Sequence, residues 1–232
     1  MAMTPIQMIA FFRDQANASR TALEAAVASS NYHVAAVNVR GEFTCRIAQG
    51  LIQWRIDSGS PVEPFKQAVE RNAVGMRTLS ALESHDVAKD VYVAEAAIIS
   101  FLVDMPSPTF NKENLVTDCL LDAVLADALR GSWDEIAWNK GLSQLRKNKR
   151  SGLACETYLV YERLLNTASA NANTLVDEAS ELFQKRSRDG FYTGGPATEG
   201  GGPDNKYTVD YRLAAIIKKI GFTGQTIHRW RW

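Results

Sequence analysis

Apolar residues along the chain recur at spacings of three and four, and Pro, Gly and short polar runs divide this helical pattern into nine segments. Thr4 and Pro5 form an N-cap and first-turn pair. After them Met8, Ile9, Phe12, Leu23, Ala26 and Val27 mark one face of a helix that ends near Ser29. Val37, Phe43, Ile47, Leu51, Trp54 and Ile56 mark a second, over 32–57, which "DSGSP" stops. A third covers 62–82 and a fourth 86–104. The fourth contains "VYVAEAAIISFLV", too short for a bilayer and suited to a central core helix. "MPSPTFN" then breaks the pattern, because each proline disfavours helix at the residue before it.

Beyond that break, Asn111 or Asn114 can cap a fifth helix, "LVTDCLLDAVLADALRG", for which Gly131 fits the position just past the C-terminus. Ser132 is then read as the cap of a sixth, "WDEIAWNKGLSQLRKNKRSG", with acids in its first turn and bases in its last. So tight a connection predicts an antiparallel hairpin. Further helices follow over 154–167 and 173–188, then the stretch "YTGGPATEGGGPDNKYTVDY", then a ninth helix over 208–219. Alternating strand patterns are nearly absent, and no repeat period of solenoid length recurs. The expected fold is all-α: one globular domain over 1–232, built from antiparallel helical hairpins, with a long Gly-rich loop before the last helix. Pro106 to Phe110 is the one plausible seam.

Composition adds little. Of 232 residues, 46% are hydrophobic and 22% charged, with 26 basic and 26 acidic side chains, so net charge selects no partner. Cys45, Cys119 and Cys155 lie far apart and read as buried thiols in a reducing compartment. The N-terminal stretch lacks a basic segment followed by an apolar run, so a cytoplasmic protein without a membrane segment is expected.

Candidate chemistry is sparse. The Gly-rich stretch follows a helix and lacks the lysine spacing of a phosphate-binding loop, which leaves partner contact or plain slack. Asp118 and Asp122 share a helix face, but no Glu-x-x-His pair accompanies them, and no metal or cofactor is expected. A helical enzyme using these two carboxylates beneath a lid formed by 190–207 is the rival from another class. His33, His85 and His228 receive no role. The basic run "RKNKR" and the tail "HRWRW" could contact nucleic acid, yet bases at a helix C-terminus and tryptophans folding a tail back explain them better.

Charge is nonetheless segregated: acids predominate over 112–135, and bases over 140–150 and in the tail. Segregated charge on a neutral protein speeds and orients association with a complementary partner, which favours a binding protein over an enzyme. Asp122, Asp127, Asp134 and Glu135 are the candidates for steering, and Trp133, Trp138, Tyr192 and Tyr207 for aromatic anchors. A scaffold or regulator that pairs with itself as a homodimer is a further alternative.

The acidic hairpin "DCLLDAVLADALRGSWDEIAWNKG" and the late segment "GGGPDNKYTVDYRLAAIIKKIG" with its short aromatic tail resemble the all-helical immunity proteins of bacterial polymorphic toxin and type VI secretion systems. The resemblance implies a partner, a cognate protein toxin whose active site is covered or deformed on binding. It implies no role for any individual residue.

Overall fold

The computed structural model describes residues 4–55, 60–81, 93–109, 112, 115, 117–147, 152–188 and 210–223. Among them lie nine α-helices and no strand: α1 (Pro5–Ala28), α2 (Tyr32–Arg55), α3 (Val62–Ala81), α4 (Val93–Leu102), α5 (Thr117–Leu129), α6 (Glu135–Lys147), α7 (Gly152–Leu165), α8 (Asn173–Arg188) and α9 (Tyr211–Ile220). The expected all-α fold is what the chain forms. The Gly-rich stretch up to residue 209, "HRWRW", His85 and His228 lie outside the described residues, as do Tyr192 and Tyr207.

Local chemistry sets the helix ends. The Thr4 hydroxyl accepts from the Gln7 N–H, while the Gln7 side chain accepts from the Thr4 N–H at 2.8 Å, a reciprocal cap for α1. Asn31 caps α2 through the Val34 N–H. Gly131 adopts a positive φ of 92°, and the N–H groups of Gly131 and Ser132 return to the carbonyls of Ala128 and Asp127, closing α5 in a Schellman turn. At the other end of the chain Asp210 caps α9 by accepting from the Arg212 and Leu213 N–H groups, and Gly221 ends it in the left-handed region.

Successive helices pack mainly on their neighbours, as hairpins do: α1 on α2, α2 on α3, α4 on α5, α5 on α6 and α7 on α8. Glycines set how closely some of them approach. A Cβ on Gly50 would fall 2.5 Å from the Phe65 ring, and one on Gly141 would fall 2.7 Å from Leu121 Cγ. One continuous cluster of buried side chains draws on α2 through α9, including Phe43, Phe65, Ile98, Leu121, Trp138, Tyr161, Val176 and Ile216. It contains residues from both sides of the Pro106 to Phe110 break, such as Leu102 and Leu125. α4 sits at its centre with eight of its ten residues buried, as an apolar run interrupted only by Glu95 and Ser100 predicts. α1 is attached separately, through Ala26 packed with Ala35, Val39 and Leu79.

Candidate functional site

The corner between α5 and α6 carries most of the residues singled out in the sequence. The Schellman turn closes α5 at Ser132, and α6 begins only at Glu135. Its cap is Asp134, whose Oδ1 accepts from the Ala137 N–H at 3.0 Å. This corrects the expectation that Ser132 caps the helix. It also turns Trp133 outward, 39% exposed, with its ring leaning on Trp138 at 4.9 Å between centroids. Ile136, in the first turn of α6, is 85% exposed.

The carboxylates of the corner differ in what they have left to offer. Lys112 Nζ lies 2.7 Å from Asp127 Oδ2 and 3.3 Å from Asp134 Oδ2, so one ammonium serves both. The Ala137 N–H holds the Asp134 carboxyl below its ordinary pKa against a small burial penalty, and Lys112 pushes the same way. Burial disfavours the charged Lys112, but the hydrogen bonds and charges of Asp127 and Asp134 outweigh it and raise its pKa. Glu135 is exposed and makes no ion pair among the described residues. It is the uncommitted charge of the corner, beside the uncommitted apolar surface of Trp133 and Ile136.

Two of the expected contact residues are in the core. Asp122 is 2% exposed and Trp138 is fully buried, so neither can steer or anchor a partner on this surface. Trp138 packs edge-on against Tyr158 and donates its indole N–H to Glu162 at 3.0 Å. Asp122 is held by Arg212 of α9, which donates through Nε at 2.7 Å and Nη2 at 2.6 Å, and it also accepts from the Tyr158 hydroxyl at 2.8 Å. Glu95 of α4 stands 3.4 Å from the same guanidinium, which lies over the Tyr211 ring. Next to this group, the Tyr161 hydroxyl donates to Asp210. The network therefore ties α9 to α4, α5 and α7. It uses Asp122 as the counter-ion of a buried arginine. The Asp118 side chain and the 190–207 lid lie outside the described residues.

Sequence reasoning missed Arg212 and Ile136. Arg212 received no role, although it stands in a helix whose other early residues are apolar. Ile136 lies about half a turn out of phase with Trp138, Leu142 and Leu145, the buried face of α6, and that phase was legible.

Elsewhere, a pocket of about 490 Å³ is lined by Val62, Lys66, Leu102, Val103, Asp104, Met105 and Lys218. Lys218 is committed within it, donating to the Phe101 and Leu102 carbonyls at the end of α4 and pairing with Asp104. Among the described residues, no group of three His, Cys, Asp or Glu side chains is placed to hold a metal ion, and no helix is long and apolar enough to cross a membrane. Cys45, Cys119 and Cys155 form no disulfide; Cys155 is buried as expected, whereas Cys45 and Cys119 are only partly buried. No protein-family model, curated protein or solved structure matches the chain.

Proposed function

We propose that this chain is a binding protein that neutralises a cognate bacterial toxin in the cytoplasm, and that the α5–α6 corner is its contact surface. The observation that carries the proposal is the corner itself: Trp133 and Ile136 present apolar surface to solvent beside Glu135, exposed and unpaired among the described residues, on a tight turn fixed by Gly131 and the Asp134 cap. An apolar anchor with a charged rim on a rigid element is the arrangement that gives interfaces their affinity and on-rate. Toxin as the partner comes from the resemblance to helical immunity proteins. Catalysis is no part of the proposal, since Asp122 serves Arg212.

Asp127 and Asp134 share Lys112, so most of the steering falls to Glu135. The test is binding of the purified chain to the product of a toxin gene adjacent to its own. Trp133→Ala and Ile136→Ala are expected to speed dissociation, each weakening the complex by about 30-fold, the usual effect of removing a central anchor worth ~2 kcal/mol. Glu135→Lys is expected to slow association and change its salt dependence. A complex that forms with both apolar variants at unchanged affinity would overturn the choice of surface, and the absence of any complex would overturn the function.

A further inference from the structure

A second cluster of charged side chains stands apart in composition from the corner, where α1, α2 and α3 meet. Its centre is Glu42 of α2, 3% exposed. Three arginines from three helices converge on a single oxygen of it: Arg20 Nε at 3.2 Å, Arg46 Nη2 at 3.9 Å and Arg71 Nε at 4.0 Å from Oε1. Only the first of these is a hydrogen bond. Among the described residues one carboxylate thus faces three guanidiniums, an excess of two positive charges.

Arg46 is the least accommodated of the three. It is 5% exposed, and one Nη2 bond to Asn17 Oδ1 at 2.7 Å is its sole hydrogen bond among the described residues. Its Nε is buried without a partner. Burial lowers its pKa, Glu42 opposes that, and the Arg20 and Arg71 charges lower it further. A buried guanidinium with an orphaned N–H beside two like charges is costly unless something negative joins it. The cluster reaches the surface through the Arg20 and Arg71 side chains, which are 33% and 43% exposed. Guanidinium forks are the protein groups best matched to oxyanions.

We propose that Arg20, Arg46 and Arg71 form a binding site for a single oxyanion, a phosphate group or a carboxylate, which supplies the missing negative charge and the acceptor for Arg46. The site is built from helices other than the α5–α6 corner, so it stands or falls independently of the toxin contact.

The experiment follows the melting temperature of the full chain as inorganic phosphate or acetate is titrated at constant ionic strength, with chloride as the reference. The expected result is a saturable rise, about 5–10 °C at a hundredfold excess over Kd for a protein of this size. A rise with phosphate alone assigns a phosphate group, and an equal rise with acetate assigns a carboxylate. Arg71→Gln, chosen because it is the most exposed of the three, is expected to abolish the increment whatever its own starting stability. Arg20→Gln should do the same and keeps the test open if the first variant fails to fold. Phosphate also stabilises proteins through exclusion from their surface, without saturation. A rise that does not saturate, or that is the same in both variants, or no rise beyond chloride with either anion, overturns the site.

Discussion

Replacing Asp122 with alanine should be among the most damaging single changes available to this chain. It removes two charge-assisted hydrogen bonds from Arg212 and the acceptor of the Tyr158 hydroxyl, in a place where the Arg212 and Asp122 side chains are 5% and 3% exposed. Breaking one side of a buried ion pair costs about 3–5 kcal/mol. Glu95 at 3.4 Å and the Tyr211 ring remain beside the guanidinium and hold the cost below the upper end, about 4 kcal/mol. That is a large share of the roughly 5–15 kcal/mol that stabilises a typical domain. Urea unfolding followed by circular dichroism reads it as a fall in midpoint at nearly constant slope.

The paired change Asp122→Leu with Arg212→Met is the sharper arm. Apolar replacement of a whole buried pair is often neutral or stabilising, so the double variant should recover at least 2 kcal/mol relative to the sum of the single changes. Additive losses, or a cost below about 1 kcal/mol for Asp122→Ala, would refute the view that this pair is buried and mutually dependent.

Three further outcomes follow. Gly141→Ala should cost about 1–3 kcal/mol in the same unfolding assay, because the new methyl lands 2.7 Å from Leu121 Cγ and must push α6 off α5. The stability gap between the wild type and Asp134→Asn, which keeps a cap but loses the charge facing Lys112, should vary with pH in a stated direction. Asp134 has a lowered folded pKa, so its contribution is full above the unfolded value near 3.9 and vanishes as pH falls through the folded value. Lys112 has a raised one, so its share is full below its unfolded value and is lost as pH rises through the folded value. Thermal melts that show the same gap at pH ~2.5 and pH ~7 would contradict this. Finally, burial raises the Cys45 thiol pKa against the opposing charge of Arg46, so its alkylation by iodoacetamide at neutral pH should be well below that of a free cysteine. Mass spectrometry of the alkylated peptide measures it.

Most of the helices were legible because their boundaries are local. Thr4 with Gln7 and Gly131 with its two returning N–H groups depend on residues within one turn, and such signals survive any tertiary context. The start of α6 was misread because Ser132 is a good cap in isolation. Only the geometry of the turn shows that Ser132 still belongs to the end of α5 and that Asp134 takes the role.

The candidate site was less legible. Asp122 reads as surface acid only if its immediate neighbours are ignored: Leu121, Ala123, Val124 and Leu125 around it are all buried, and an acid among buried apolar residues needs a cationic partner. That partner, Arg212, stands ninety residues away in sequence, and no local pattern names it. Trp138 could have been withdrawn from the surface by its register with Leu142 and Leu145, and Ile136 put in its place by the same register.

The central claim, that the α5–α6 corner binds a protein toxin, is tested most directly by the association of this chain with the product of an adjacent toxin gene, measured by surface plasmon resonance. The account predicts a tight complex whose dissociation is about 30-fold faster with Trp133→Ala, while Asn38→Ala on α2 leaves it unchanged. No complex, or one that dissociates equally slowly from the wild type and Trp133→Ala, would contradict it.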